Sequence, residues 1–228
     1  MTGSEHRPEP PAEPAAPEGR GERPRIGSEN VRAYVERMAS GEPAPGGGAA
    51  GALQAALGAA LVGMSARYTH GDERAADAER AAARADAVVP EALGLADADA
   101  AAFRELSAAY ALPADDEAQR AERSRAVQEA TAGAAQPPRE LIAVAAEVLE
   151  LARDLAQWCN PNVLSDLAAA AEAARAAAAT GLVTLEINLR SLRDGPEREA
   201  LAEAVGLGER TVAAAAELAG GIRERVRS

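Results

Sequence analysis

The chain has 228 residues, 47% of them apolar but only 2% aromatic, and a formal net charge of −12. That length favours one domain with a real core, and the acidic balance argues against nucleic acid and anionic membrane surfaces as partners. Cys159 is the single cysteine, which excludes an internal disulfide and makes a reducing, cytoplasmic compartment the expectation. Alanine dominates while the strand-forming β-branched and aromatic residues are scarce, so the fold is expected to be all-α, with small side chains between closely packed helices.

In chain order, residues 1–27 are acidic and proline-rich, without the basic and apolar regions of a signal peptide. They are expected to form a disordered tail ahead of one helical domain over 28–228. Ser28 is placed to cap a short helix reaching about Ala39, with Val31, Tyr34, Val35 and Met38 on one face. Pro43 and Pro45 then hold the chain extended up to Gly46, Gly47 and Gly48. The second helix is expected from about Gly47 to His70, stopped by Gly71. Its Ala49–Ala66 stretch approaches the length of a membrane span, but Ala and Gly contribute little transfer free energy. Gly51, Ala55, Ala59 and Gly63 recur every fourth residue, a stripe that lets another helix approach, so a buried helix is expected.

A long third helix should run from about Arg74 to Ala111 through Pro90, and Leu112-Pro113 should end it. A charged fourth helix follows to about Ala134, where Pro137-Pro138 is expected to break it before a fifth reaching Trp158. The sixth should begin near Val163 and the last after Gly195-Pro196. An antiparallel helical bundle with long central helices is the simplest arrangement.

Three stretches could carry chemistry. In Pro45–Gly48, three glycines stand at a helix start, where unpaired N–H groups meet the positive end of the helix dipole. They read either as donors bared for an oxygen-rich ligand or as a tight turn with close helix contact. In Leu95–Leu106, helical spacing puts Leu95, Asp99, Phe103, Leu106 and Tyr110 on one face. Asp99 is then a carboxylate within an apolar stripe, which must be paired, as with Arg67, or used, since a raised pKa suits a general acid or base near neutrality. In Asn160–Asp166, Asn160, Asn162, Ser165 and Asp166 crowd one helix start. They are residue types that cap helices, in greater number than one cap needs. His6, His70 and Cys159 make no metal constellation, so a metal-free site of carboxylates and backbone dipoles is expected.

In order and spacing these stretches resemble the cyclodeaminase/cyclohydrolase family of folate enzymes, over about Ser28 to the C-terminus. The resemblance rests on Pro45–Gly48 with its small-residue helix, "DADAAAF" at 97–103, Leu112-Pro113, Pro138, Asn160 with Ser165-Asp166, and "INL" at Ile187–Leu189. It implies an all-helical homodimer or larger homo-oligomer that acts on the 5,10-methenyl bridge of a tetrahydrofolate, with the folate as substrate and no other cofactor. It further implies that Asp99 is catalytic and that Gly46, Gly47, Gly48, Asn160, Ser165 and Asp166 line the folate site. The chain departs from the family pattern at Ala49, Asp72-Glu73, Ala101 and Thr184, where Ser, a basic pair, Glu and Asn are usual.

Overall fold

The computed structural model describes residues 30–69 and 71–228. The tail expected over 1–27, the cap expected at Ser28 and His70 lie outside the described residues. Among the described residues the regular structure is all helical, with no strand. The helices are α1 (Val31–Ala39), α2 (Gly47–Arg67), α3 (Ala75–Tyr110), α4 (Glu117–Leu155), α5 (Leu164–Ser191) and α6 (Pro196–Arg227). Single 3-10 turns at Asp72–Arg74 and Pro161–Val163 lead into α3 and α5. Asn30 caps α1 by accepting the Ala33 N–H at 2.9 Å, as a short polar side chain before a helix does.

α2 is the central helix, packed against α3, α4 and α5, and α6 closes the far side against α4 and α5. Its small residues make this possible. A Cβ on Gly51 would lie 2.9 Å from Leu141 of α4 and 3.0 Å from Thr180 of α5. On the opposite side, one on Gly63 would lie 3.4 Å from the Ala85 Cβ of α3. The neighbour pairs Gly51–Leu141 and Gly58–Val148 run α2 parallel to α4, while Gly51–Thr180 and Gly58–Ala173 run it antiparallel to α5. α2 alone among the described helices is long and apolar enough to cross a membrane, and 61% of that stretch is buried inside the bundle. Ala49, Ala55 and Ala59 are fully buried, with Leu141, Leu149, Leu155 and Leu167 as the larger core side chains.

The break expected at Pro137-Pro138 does not occur: α4 is one helix across both prolines. A proline has no N–H to give the carbonyl four residues back, so Pro138 leaves the Ala134 carbonyl without its helical donor. Asn188 of α5 replaces it, its Nδ2 donating to Ala134 O at 2.9 Å. Gly181 of α5 permits the approach, since a Cβ there would lie 3.1 Å from the Pro138 carbonyl oxygen. A local helix-breaking rule therefore yields to a tertiary hydrogen bond. Asn188→Ala should strand that carbonyl and lower unfolding stability by about 1–3 kcal/mol, measurable by urea titration. α3 likewise passes through Pro90, and α2 ends at Arg67, one turn short of the expected limit.

Candidate active site

Extended Gly46 precedes α2 and lends it no side-chain cap, as a residue without a side chain must. Gly47, Gly48 and Ala49 form the first turn, whose N–H groups have no partner within the helix. Asp99, half-buried on the antiparallel α3, reaches this turn. Its carboxylate accepts the Ala49 N–H and lies directly over Gly48. A Cβ on Gly48 would sit 2.5 Å from the Asp99 Cγ and 2.8 Å from Oδ2, so only glycine admits the carboxylate there. A Cβ on Gly46 or Gly47 would meet nothing within 4 Å, and Gly47 is exposed. The three glycines thus divide: Gly48 seats Asp99, whereas Gly46 and Gly47 face open space.

The pairing of Asp99 with Arg67 does not occur. Arg67 is bound to Asp86 three turns away on α3, and no ion pair reaches Asp99 among the described residues. Burial pushes the Asp99 carboxyl above the usual carboxylate range, and the Ala49 hydrogen bond draws it partly back. A carboxyl raised in this way is a better proton donor and acceptor for general acid–base chemistry than an ordinary exposed one. The apolar face expected around it also opens outward. Leu95 is buried, but Phe103 is 45% and Tyr110 49% exposed.

Asn160, Ser165 and Asp166 lie elsewhere. Asn160 ties the α4–α5 connection to the far end of α2, its N–H donating to Thr69 Oγ1 at 3.2 Å and its Nδ2 to Tyr68 O at 3.0 Å. Its Oδ1 accepts the Asn162 N–H at 3.0 Å. Ser165 is exposed and Asp166 half-buried in the first turn of α5. α2 has 21 residues and so spans about 30 Å. Within one chain, the Gly46–Gly48 and Asp99 group is therefore about that far from the Asn160–Asp166 group. The Ala49 amide is the site contributor that the sequence did not single out; its only signal is its place in the first turn of an uncapped helix. Among the described residues no group of three or more His, Cys, Asp or Glu side chains is placed to hold a metal.

The fold and site define a class: an all-α bundle with a half-buried carboxylate seated on a glycine-rich helix start. The sequence model of the formiminotransferase-cyclodeaminase family matches residues 30–206, and the chain belongs to that family. It is 32% identical over 196 residues to a methenyltetrahydrofolate cyclohydrolase of Methylorubrum extorquens, covering 81% of this chain and 94% of the relative. It is also 32% identical to the formimidoyltransferase-cyclodeaminase of Rattus norvegicus over 75% of this chain, but spans only 32% of that longer protein. A crystal structure of formiminotetrahydrofolate cyclodeaminase from Thermotoga maritima superposes with a TM-score of 0.78 and 24% identity. It covers 89% of this chain and all of that one, which shows the shared fold.

Proposed function

We propose that this chain is a tetrahydrofolate one-carbon enzyme acting at the 5,10-methenyl bridge, as a methenyltetrahydrofolate cyclohydrolase, a formiminotetrahydrofolate cyclodeaminase or both. The observation that carries this is Asp99, a lone carboxylate held on the Ala49 N–H with its pKa raised by burial. In the hydrolytic direction, water adds to the cationic carbon between N5 and N10 and Asp99 takes its proton. Asp99 then returns a proton to N5 as the carbon–N5 bond breaks, and the hydroxyl closes to the formyl carbonyl, losing its proton to solvent. In cyclodeamination, N10 attacks the carbon of the protonated formimino group, and the N10 proton passes through Asp99 to the resulting amino group, which departs as ammonia and leaves the methenyl cation. Both reactions pass through a tetrahedral carbon between two nitrogens, so one carboxylate serves either. While ionised, it also balances the amidinium charge. Folate is the substrate, and the scheme uses no further cofactor. The stand-alone relative matched over almost its whole length is named a cyclohydrolase, which supports that reaction first.

The reaction is assigned by mixing the protein separately with 5,10-methenyltetrahydrofolate and 5-formiminotetrahydrofolate and following the methenyl absorbance. Accelerated loss in the first mixture identifies the cyclohydrolase, and accelerated appearance in the second the cyclodeaminase. If both mixtures keep the uncatalysed rates, the proposal is wrong.

Assembly into a homo-oligomer belongs to the same proposal. The outward side of α2 carries Leu53, Leu57, Leu61 and Met64; Leu57 is 55% exposed and the other three are half-buried. So many large apolar side chains on one face are costly to leave in water. A two-fold axis crossing α2 near Leu57 would set the Asn160–Asp166 end of one copy over the Asp99 end of the other, which is what a shared folate site requires. Leu57→Glu should convert the oligomer to monomers by light scattering and remove activity together with assembly.

A further inference from the structure

The proposed substrate carries two aromatic ring systems, a pterin and a p-aminobenzoyl group, joined at the nitrogens that hold the reacting carbon. A site for it needs a flat apolar surface near Asp99, and this chain has few to offer: one Phe, one Trp and three Tyr in all. Trp158 lies under the Arg74 guanidinium, 5.6 Å from its ring centre. It adjoins Asn160, at the other end of α2 from Asp99. Tyr68 follows α2 at that same far end, and Tyr34 is buried in the core. Tyr110 is eleven residues beyond Asp99, about 16 Å along α3.

Phe103 remains. It stands one helical turn after Asp99 on the same face of α3, about 6 Å along the axis. It is 45% exposed, although Leu95 two turns earlier on that face is buried. Across the glycines, the antiparallel pairing of α2 with α5 at Gly51–Thr180 and Gly58–Ala173 brings Val183 level with Gly48. Ile187 follows one turn on, and both are more than half exposed. The register thus sets Phe103 of α3 and Val183 and Ile187 of α5 on the two helices that pack on α2, at the level of its start, where Gly46 and Gly47 face open space.

We propose that Phe103 is a substrate-binding residue whose ring stacks on an aromatic ring of the folate adjoining the reacting carbon. This rests on the folate reading of the site. Phe103 touches no reacting atom, so its removal weakens binding and leaves the proton transfers intact. Because the side chain is exposed, its removal leaves no cavity in the core.

The test titrates 5-formyltetrahydrofolate, which holds its carbon without turning over, into the wild-type chain, Phe103→Ala, Phe103→Leu and Phe103→Tyr, and compares kcat and KM for each. Phe103→Ala should bind about five- to tenfold more weakly, with KM raised in proportion and kcat within about twofold. Phe103→Tyr should bind as the wild type does, and Phe103→Leu should fall between. Repeating the titration with tetrahydropterin, which lacks the p-aminobenzoyl group, names the ring: an equal loss identifies the pterin, no loss the p-aminobenzoyl group. Equal affinity of Phe103→Ala and wild type for 5-formyltetrahydrofolate overturns the stacking role alone. So does a fall of Phe103→Ala to monomers in light scattering, which would make Phe103 an assembly contact. A wild-type chain that binds neither probe overturns the folate reading and the stacking role with it.

Discussion

Asp99→Asn is expected to lower turnover at the methenyl bridge by a factor of about 100 to 10,000 while leaving folate binding in place. Asn keeps the shape and can still accept the Ala49 N–H through its amide oxygen, but it can neither take a proton from water nor return one to N5. A purely structural Asp99 would show the reverse, with stability lost and turnover kept. The two roles also separate by pH. Burial raises this carboxyl in the folded chain above its unfolded value, so the folded state holds the proton more tightly. The stabilisation is therefore complete below the unfolded pKa and is lost as pH rises through the folded one. Once pH is above the unfolded value, the half-buried Asp99 is a cost that Asn does not carry, whether it ionises in place or keeps its proton. Asp99→Asn should accordingly raise Tm at about pH 7, with the gain shrinking as pH falls and gone only by about pH 3, below the unfolded value of about 3.9.

Gly48→Ala is expected to reduce kcat by about a hundredfold, far out of proportion to the single methyl group added. Its Cβ would enter the space of the Asp99 carboxylate, 2.5 Å from Cγ. The α2 backbone is locked by its neighbours, so the carboxylate is what moves, and it loses the Ala49 N–H as it does. Ala is a better helix former than Gly by about 1 kcal/mol, which offsets part of the crowding and should leave the variant folded. Gly47→Ala is the matched control. Its Cβ meets nothing within 4 Å, so Asp99 and kcat should be undisturbed, and any change should appear in KM. If the two variants behave alike, the division of labour among the glycines is wrong.

Much of this was legible in the sequence because it is written at short range. The four-residue spacing from Leu95 through Asp99 to Phe103 selected the carboxylate, and the glycines and prolines marked most helix ends. Long-range matters were not legible. Pro137-Pro138 reads as a break to any local rule, since the Asn188 donor that takes up the freed Ala134 carbonyl is 54 residues from it along the chain. The glycine triplet announced a need for bare backbone, but not that Gly48 meets a side chain while Gly46 and Gly47 stay open. Asn160, Ser165 and Asp166 sit beside the other end of α2 because of topology, which no spacing of residues reveals. Phe103 and Tyr110 lie on the expected face, yet that face leaves the core beyond Asp99, where the neighbouring helices no longer cover it.

The measurement that tests the central claim most directly is the pH dependence of 5,10-methenyltetrahydrofolate hydrolysis by the wild-type protein, corrected at each pH for the uncatalysed rate. With Asp99 as proton acceptor, the enzymatic rate should fall as pH drops through a single step above the ordinary carboxylate value of about 4, and Asp99→Asn should abolish that limb with the rate. An enzymatic rate that holds level down to about pH 4, or one that Asp99→Asn leaves intact, would contradict the assignment of the proton transfer to Asp99.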